Sequence, residues 1–365
     1  MQGVGGGQSA GEESVPELVT LAEIRASAER IAGVAARTSL VRVDPERLRA
    51  AGVAPPPFEL YLKLESEQPI GSFKLRGAYN RIAQLGPEEL GRGVITYSSG
   101  NHAQGVAYAA RALGSKAVIV MPENAPEVKR AATLTLGAEI VTVGVASSER
   151  RAKAEELADR HGYRIIPPYD DPAIIAGQGT CGLEILEQMP EVDLLLSPVS
   201  GGGLLSGVAT AVKLLAGEGQ GRAGVEVWGV EPELAGDAAE SFRTRKLVEW
   251  PAALTSRTIG DGLRTQSLGV LNFEHVLRYV DGIVTVTEEQ ILAATRLILS
   301  ATGVVAEPSG AVTTAAAVFG AAGLPKAKKV VAVVSGGNID PALLAELRDD
   351  VRNEARIEPY AQLRV

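Results

Sequence analysis

Strands that look buried on both faces alternate with helices along most of this chain, and this alternation constrains the fold more than any other feature. Near-continuous apolar runs at 192–198, 225–230 and 330–334 suit strands that helices cover on both sides. The repeated strand-to-helix order predicts an α/β fold with doubly wound, mostly parallel sheets. Further strands are predicted at 58–64, 93–97, 117–121, 139–143 and 282–286, and helices at 21–34, 101–113, 173–188, 204–215 and 288–301.

The same pattern predicts two domains. Residues 91–169 are expected to form a small α/β domain, and residues 19–90 together with 170–365 a large one. Residues 1–18 begin with a glycine-rich, acidic stretch and lack the basic and apolar regions of a signal peptide, so we expect a disordered tail there. In sheets of this class, ligands bind beyond the carboxyl ends of the strands, where loops enter helices.

Charge and apolar patterning exclude several classes of function. The formal net charge is −8, whereas nucleic-acid binding needs a basic face and binding to anionic lipid needs a polybasic segment. No stretch approaches the ~18 uninterrupted apolar residues of a membrane-spanning helix. Cys181 is the single cysteine, which rules out a disulfide within the chain and suits a reducing cytoplasm. We therefore expect a cytoplasmic protein without nucleic-acid or membrane partners.

A lysine between small and apolar residues follows the strand predicted at 58–64. The segment is Gly71-Ser72-Phe73-Lys74-Leu75-Arg76-Gly77-Ala78. Burial at a strand-to-helix turn disfavours the charged amine of Lys74, which lowers its pKa and favours Schiff-base chemistry. The alternative is a surface lysine that lays its stem on apolar neighbours and keeps its ammonium in water. Taken alone, the motif favours that alternative, because lysines are common and reactive lysines are rare.

A polar segment, Ser98-Ser99-Gly100-Asn101-His102-Ala103-Gln104, joins a predicted strand to a predicted helix. Hydroxyls, an amide side chain and unpaired N–H groups at a helix N-terminus form a carboxylate-binding site. An ordinary N-cap by Ser99 or Asn101 explains the same residues equally well.

Three consecutive glycines follow the strand predicted at 192–198, in the loop Ser200-Gly201-Gly202-Gly203-Leu204-Leu205-Ser206-Gly207. Consecutive glycines let backbone N–H groups turn inward around an anion, and the dipole of the following helix adds attraction. The loop lacks both the Gly-Lys-Ser/Thr ending of a nucleotide triphosphate loop and the Gly-x-Gly-x-x-Gly dinucleotide fingerprint. A phosphate monoester is therefore the expected ligand, and a flexible turn is the alternative.

Two further loops follow predicted strands. In Ser335-Gly336-Gly337-Asn338, a hydroxyl can bond a ring nitrogen of a bound heterocycle, although a loop with turn glycines is the simpler interpretation. In Glu231-Pro232-Glu233-Leu234-Ala235-Gly236-Asp237, two carboxylates and a carbonyl can hold Mg²⁺ or Ca²⁺, which prefer oxygen ligands. A solvated acidic loop is the alternative there.

Together these segments resemble the serine/threonine dehydratases and serine racemases, which are fold-type II pyridoxal-phosphate enzymes. The resemblance covers about residues 20–345, in order and at compatible spacing. It also includes Ile174-Ile175-Ala176-Gly177-Gln178-Gly179-Thr180, Asp261-Gly262 and Glu307-Pro308-Ser309-Gly310. The resemblance implies that the large domain binds pyridoxal 5′-phosphate and that the protein is a homodimer.

The resemblance also implies a role for each matched residue. Lys74 binds the cofactor covalently and acts as general base at Cα, while Ser335 bonds the pyridine nitrogen. Phe73 packs beside the ring and Asn101 bonds its phenolic oxygen. The phosphate is held by the backbone of Gly201, Gly202, Gly203 and Leu204. The substrate carboxylate binds in a pocket of Ser98, Ser99, Asn101 and His102. A structural Mg²⁺, Ca²⁺ or Mn²⁺ site is formed by Glu231, the Ala235 carbonyl and Asp237.

The implied reaction is β-elimination of water from L-threonine or L-serine, which gives 2-oxobutyrate or pyruvate plus ammonia. Serine racemase activity is an alternative, because Ser99 is the residue that serine racemases use as acid/base on the face opposite the lysine. Tyr169 favours a dehydratase, since dehydratases carry an aromatic residue where eukaryotic serine racemases carry asparagine. No motif separates threo-3-hydroxyaspartate from the other hydroxy amino acids. A nicotinamide-dependent oxidoreductase without pyridoxal phosphate is the alternative from another class, although its fingerprint is missing.

Overall fold

A computed structural model describes most of the chain: residues 16–98, 100–123, 125, 127–144, 147–219 and 224–361. Of the tail predicted at 1–18, residues 1–15 lie outside these ranges, as does Ser99. No helix within the described ranges is both long and apolar enough to cross a membrane.

The described residues form two sheets. The strands are β1 Leu40–Arg42, β2 Glu59–Leu64, β3 Val94–Thr96, β4 Ala117–Pro122, β5 Glu139–Val143, β6 Arg164–Ile165, β7 Leu194–Pro198, β8 Glu226–Pro232, β9 Gly282–Val286 and β10 Lys329–Val334.

Helices surround both sheets. They are α1 Leu21–Ile31, α2 Pro45–Ala50, α3 Lys74–Ile82, α4 Pro87–Arg92, α5 Asn101–Ala112, α6 Glu127–Thr135, α7 Ser147–His161, α8 Pro172–Gln188, α9 Gly203–Gly217, α10 Asp237–Thr244, α11 Ala252–Thr255, α12 Val270–Tyr279, α13 Glu288–Thr302, α14 Pro308–Phe319 and α15 Pro341–Ala361.

The larger sheet has six strands in the order β1-β2-β10-β7-β8-β9, and the smaller has four in the order β5-β4-β3-β6. All strand pairs are parallel except β1–β2 at one edge of the larger sheet. The prediction of doubly wound, mostly parallel sheets is therefore confirmed. The sequence pattern missed β1 and β6, which have three and two residues and no long apolar run.

Both faces of the larger sheet are buried, as its apolar strands predict. Successive side chains of β7 point to opposite faces. Leu194 and Leu196 pack in a core with Ile291 of α13 and the apolar side of α14, whereas Leu195 packs with α8, α9 and α12. Because each fully buried leucine stabilises the fold by ~1.5–3 kcal/mol, this two-sided burial fixes the strand order and register.

The smaller sheet is also covered on both sides. Residues of α5 and Ala78 and Ile82 of α3 pack on one face, and Ala154 and Ala158 of α7 on the other. Helix α3 begins at Lys74, so the helix that carries this lysine packs directly on the smaller sheet. The division into domains at residues 90 and 170 stays a prediction.

Candidate active site

The loops that follow β2 and β10 meet where these two parallel strands end. The amide of Phe73 donates to the carbonyl of Ser335 at 3.1 Å, and Ser72 pairs with Gly336 in an isolated β-bridge. Ser335 is buried, with 4% of its surface exposed. The Lys74 motif and the Ser335 motif, which lie more than half the chain apart in sequence, are thus joined through their backbones. Lys74 is the residue directly after Phe73.

Lys74 is the first residue of α3 and its amine is buried. Nζ donates a hydrogen bond to the carbonyl of Pro168 at 2.7 Å and lies 5.1 Å from the centre of the Phe73 ring. Burial lowers the pKa of Lys74 to about 8. A substantial fraction of this amine is therefore neutral and nucleophilic near physiological pH, which favours a reactive amine over a solvated surface lysine.

The polar segment at 98–104 lies beside this lysine at the start of α5. The hydroxyl of Ser98 accepts from the amide of Gly100 at 3.4 Å. Nε2 of His102 lies 3.0 Å from the carbonyl of Ile166, and since a carbonyl only accepts, Nε2 carries the proton. Burial, with the charge of Lys74 in addition, lowers the pKa of His102 to about 3, so the ring is neutral. Ser99 lies outside the described residues.

The side-chain amide of Asn101 is held from both sides. Its Nδ2 donates to Oε1 of Glu307 at 2.6 Å, and its Oδ1 accepts from Nδ2 of Asn338 at 2.7 Å. Nδ2 of Asn338 also donates to the carbonyl of Ile70 at 2.9 Å. One N–H of the Asn101 amide stays available for a ligand, and its direction is set by these two neighbours.

Glu307 is a residue that the sequence did not single out for a role. It precedes Pro308, the first residue of α14, and it is buried, with 3% of its surface exposed. Burial, together with the negative charge of Asp261, raises the pKa of Glu307 to about 7. A glutamate before a proline is a common helix start. The local sequence therefore does not indicate that the carboxylate of Glu307 points toward Asn101.

The glycine loop lies between β7 and α9. Gly202 has a left-handed φ of 93°, which favours glycine, and a side chain at Gly201 would collide with the ring of Tyr169. The amide of Gly202 donates to the carbonyl of Val199 at 3.0 Å. Within the described structure, no residue accepts from the amides of Gly201, Gly203 and Leu204, which lie at or near the positive end of α9.

The three residues proposed for a metal lie at the end of β8 and just after it. Glu231 is in the strand, Ala235 in the 3₁₀ turn Glu233–Ala235, and Asp237 begins α10. Burial raises the pKa of both carboxyls, and the neighbouring Asp237 charge adds to the effect on Glu231. Oε2 of Glu231 accepts from the amide of Ala239 at 2.9 Å, whereas both carboxylate oxygens of Asp237 are buried without a described hydrogen-bond partner.

Two buried carboxylates with unused oxygens fit a divalent cation, which would replace their mutual repulsion by attraction. No cluster of three or more histidine, cysteine, aspartate or glutamate side chains with metal-binding geometry occurs among the described residues. The site therefore depends on the carbonyl of Ala235 or on water for further ligands.

The residues around Lys74 fit a phosphate-bearing aromatic aldehyde. They provide an amine of lowered pKa at Lys74, an oriented amide at Asn101, a buried hydroxyl residue at Ser335 and unused N–H groups at the start of α9. The glycines matter because a side chain at Gly201 would collide with Tyr169, and one at Gly336 with Glu307. These are the groups needed to hold the ring and phosphate of pyridoxal phosphate.

Comparisons with known proteins agree with this geometry. The chain is 41% identical over 323 residues to L-threonine ammonia-lyase of Thermotoga maritima, covering 88% of this chain and 76% of that protein. It is 40% identical over 289 residues to L-threo-3-hydroxyaspartate ammonia-lyase of Saccharomyces cerevisiae, covering 79% and 86% respectively. The structure of maize serine racemase matches with a TM-score of 0.82 at 34% identity, over 93% of this chain and all of that one.

A family model described as pyridoxal-phosphate dependent enzyme matches residues 33–336. This range contains every strand of both sheets, and it ends within the loop that carries Ser335. The alternative of a nicotinamide-dependent oxidoreductase is thereby excluded. The chain belongs to the family of pyridoxal-phosphate dependent enzymes, and pyridoxal phosphate is its cofactor.

Proposed function

We propose that this enzyme is an ammonia-lyase that converts L-threonine, L-serine or both into a 2-oxo acid and ammonia. The observation that carries the proposal is the buried amine of Lys74, with its pKa near 8, beside an oriented Asn101 amide and unused N–H groups. Two relatives at about 40% identity are named ammonia-lyases. The water lost in the elimination is regained in the final hydrolysis, so the net products are the 2-oxo acid and ammonia.

Lys74 is proposed to hold the cofactor and then to move the Cα proton. Pyridoxal phosphate, when bound, supplies an electron sink for the electron pair left at Cα. An amine with a pKa near 8 accepts and returns a proton close to neutral pH, as a general base requires. The carbonyl of Pro168 accepts from Nζ and orients the amine when the amine is not covalently engaged.

The neighbouring residues are proposed to bind and orient. The amides of Gly201, Gly203 and Leu204 are available to phosphate oxygens, whereas that of Gly202 already donates within the loop. Asn101 directs its remaining N–H toward the phenolic oxygen of the cofactor. Phe73 packs beside the ring and Ser335 bonds the pyridine nitrogen as a neutral partner.

The start of α5 is proposed to bind the substrate carboxylate. The hydroxyls of Ser98 and Ser99, the amide of Asn101 and the N–H groups of the first helical turn form an anion site. His102 is neutral and its Nε2–H is engaged with Ile166, so we assign it to the pocket through its backbone N–H and its fixed ring rather than through a positive charge.

Elimination rather than racemisation is favoured by Tyr169. Its ring lies against Gly201 and its Cβ and backbone lie against Gly203, and burial raises its pKa to about 12, so the phenol stays protonated. Serine racemase activity is the second candidate, because Ser99 supplies a hydroxyl for the opposite face of Cα and the maize racemase shares the fold. Threo-3-hydroxyaspartate is a further candidate substrate, as the yeast relative suggests.

The proposal includes three less specific elements. Mg²⁺, Ca²⁺ or Mn²⁺ binds at Glu231, Asp237 and the Ala235 carbonyl and stabilises that corner of the fold. The enzyme is a homodimer and works in the cytoplasm on small amino acids. Light scattering of the purified enzyme tests the dimer, with a mass of about 38 kDa expected for a monomer.

An absorbance scan followed by turnover tests the activity. A band at about 400–430 nm, which changes when L-threonine or L-serine is added, together with 2-oxobutyrate or pyruvate formation, supports the ammonia-lyase. Lys74→Ala is expected to abolish the band and the activity. D-serine formation with little 2-oxo acid, lost in Ser99→Ala, moves the assignment to racemase.

A further inference from the structure

A polar groove lies between α1, α3 and the beginning of α8, apart from the residues assigned to cofactor and substrate. Its volume is about 310 Å³, within the range of small-molecule pockets. Arg81 lies about two turns of α3 beyond Lys74, so ~10 Å of helix separates the groove from the reactive amine. Its polar lining consists of Glu23, Ser27, Arg30, Asn80, Arg81 and Gln84, with Asp171 from the segment before α8.

Two guanidinium groups in this groove have donors to spare. Nη1 of Arg30 donates to Oδ1 of Asn80 at 2.5 Å, and Nε of Arg81 donates to Oδ2 of Asp171 at 2.9 Å. Each guanidinium has five N–H groups, and these are the engagements found for them among the described residues. Among the described residues, the partner found for Arg30 is neutral. Nδ2 of Asn80 donates to the carbonyl of Ala173 at 2.7 Å, and this bond turns Oδ1 of Asn80 toward Arg30.

One oxygen of each acidic group in the groove already accepts hydrogen bonds from nearby N–H or hydroxyl groups, and the other oxygen of Asp171 pairs with Arg81. Oε2 of Glu23 accepts from the amide and hydroxyl of Thr20 in the cap of α1. Oδ1 of Asp171 accepts from the amides of Ala173 and Ile174 at the start of α8, at 2.8 and 3.1 Å. The guanidinium groups of Arg30 and Arg81 supply the unused charged donors of the groove, and these donors match the oxygen pairs of carboxylate and phosphate groups.

The groove is also connected to the active site. Residues 168–171, here called the connecting segment, run from the residues around Lys74 to the groove. The carbonyl of Pro168 accepts from Lys74, Tyr169 lies on the glycine loop, and Asp170 accepts from the amides of the first two residues of α12. Asp171 ends the segment and pairs with Arg81, whose side chain is 12% exposed.

We propose that this groove binds a small oxyanion, a carboxylate or a phosphate monoester, and that binding changes turnover at Lys74 through the connecting segment. An anion that takes N–H groups of Arg81 competes with Asp171 for the same cation. Loosening the Arg81–Asp171 pair shifts the last residue of a segment that positions Pro168 and Tyr169. A ligand with different affinity for the two arrangements shifts their populations, which is the physical requirement for regulation.

Calorimetric titration of the cofactor-loaded enzyme tests binding. Succinate and inorganic phosphate are titrated separately, with sodium chloride at matched ionic strength as the blank. We expect saturable binding of at least one of them, weakened about ten-fold or more in Arg30→Gln, because a charge-assisted bond is lost. Arg25→Gln is the matched control, since Arg25 lies on the same helix and pairs with Glu218 outside the groove.

Each binding outcome decides the proposal. Succinate alone identifies a carboxylate ligand and phosphate alone a phosphate monoester, and both support the site. No saturable binding, or equal affinity in the wild type and in Arg30→Gln, overturns it. Arg81→Lys serves as a second variant, because it keeps the charge opposite Asp171 but removes the planar pair of donors.

Steady-state kinetics tests the coupling. With the anion saturating, kcat/KM for L-threonine in the wild type is expected to change at least about two-fold, with no change in Arg30→Gln. Binding without any change in kcat/KM overturns the regulatory half of the proposal. The calorimetric result does not depend on the amino acid that the enzyme uses, so failure of the proposed reaction and failure of the proposed site give different results.

Discussion

Lys74 and Pro168 meet although they are 94 residues apart: Nζ donates to the Pro168 carbonyl at 2.7 Å. The carbonyl offers a partial negative charge but no titratable group, so it orients the amine without raising its pKa as a carboxylate would. Burial then dominates and lowers the pKa of Lys74 to about 8. A carboxylate at this position would keep the amine charged and unreactive at neutral pH.

The lowered pKa predicts how cofactor loading depends on pH. The rate at which apo-enzyme gains its band at about 400–430 nm should rise with pH and level off with a midpoint of about 8, because only the neutral amine attacks the aldehyde. As a control, Lys213→Ala removes a lysine of α9, beside the larger sheet, and should leave the pH profile unchanged. A midpoint near the ordinary lysine value of ~10.4 contradicts the assignment.

Glu307 is expected to control the direction of the Asn101 amide. Glu307→Ala removes the acceptor at 2.6 Å and leaves a buried N–H without a partner, so kcat/KM should fall about ten-fold or more. Glu307→Gln keeps an acceptor oxygen and should retain most of the activity. Because the pKa of Glu307 is about 7, the wild type should show a step near pH 7 in its activity or absorbance profile, and Glu307→Gln should not.

The same pKa has a consequence for stability with a defined sign. The folded-state pKa of Glu307 is raised, so its protonated form stabilises the fold at low pH, and this contribution is lost as pH rises from ~4.5 through about 7. Above pH 7 the carboxylate is ionised while buried. Glu307→Gln should therefore be more stable than the wild type in urea at pH 8 but not at pH 4.5. Equal stability differences at both pH values argue against the titration.

Sequence patterns predicted the parts of this fold and site that depend on local order. Alternation of apolar strands and helices was enough for the parallel sheets, and small residues around Lys74 marked a strand-to-helix turn. The partners of the site residues were not predictable in this way. Glu307 lies 206 residues from Asn101 in sequence, and the two meet only because the strand order sets the ends of distant elements side by side.

The residues at 165–171 illustrate the same limit. Nothing in the sequence indicates that the carbonyls of Ile166 and Pro168 are the acceptors for His102 and Lys74, because every residue has a carbonyl. Resemblance to a family implied roles for the matched residues, including the backbone of the glycine loop and of Ala235, but it did not indicate the carbonyls of Ile166 and Pro168. Which backbone group faces an active site is determined by topology, and a periodic pattern carries no information about it.

The Glu231–Asp237 pair predicts a response to divalent cations. Mg²⁺ at 100 times its dissociation constant should stabilise the fold by about 2.7 kcal/mol in a melting experiment. Asp237→Asn should abolish the response and, without metal, should be more stable than the wild type, because the repulsion between buried carboxylates is gone. Glu233→Gln, in the same turn but exposed, is the control. A Mg²⁺ response that survives Asp237→Asn places the ion elsewhere.

Arg76 anchors α3, the helix to which it belongs, through buried ion pairs. Its guanidinium is fully buried and pairs with Glu65 and Glu184 at 2.8 and 2.7 Å. Burial alone would raise the pKa of Glu65, but the charge and hydrogen bonds of Arg76 hold it below the ordinary value. Arg76→Leu leaves the buried Glu65 without its ion-pair partner, whereas Glu184 keeps Lys63, and should cost about 3–5 kcal/mol in urea denaturation.

A matched surface variant shows whether the loss of stability in Arg76→Leu comes from burial or would follow the removal of any paired arginine. Arg49 pairs with Glu46 on the surface of α2, with side chains 55% and 78% exposed, and Arg49→Leu should change stability by no more than about 0.5 kcal/mol. Similar losses in the two variants contradict the argument from burial. Because α3 begins at Lys74, a weakened Arg76 variant should also bind its cofactor less tightly.

Lys129 and Asp261 form an ion pair between the two sheet units, at the rim of the site. Lys129 belongs to α6 beside the smaller sheet, and Asp261 begins a turn whose Gly262 carbonyl accepts from Ser200 of the glycine loop. The pair thus links α6 to the turn that contacts the glycine loop. Lys129→Ala should raise KM for the amino acid up to about five-fold with little change in kcat. Lys116→Ala, which breaks an ion pair to Glu139 within the smaller unit, should leave KM unchanged.

Salt dependence gives this last prediction a second measurement. The side chains of Lys129 and Asp261 are 19% and 36% exposed, so added salt reaches and screens the pair. KM of the wild type should therefore rise with ionic strength toward the value of Lys129→Ala, and KM of the variant should depend less on salt. Parallel salt dependence in both proteins would mean that salt acts on substrate binding directly, because the ion pair is absent from the variant.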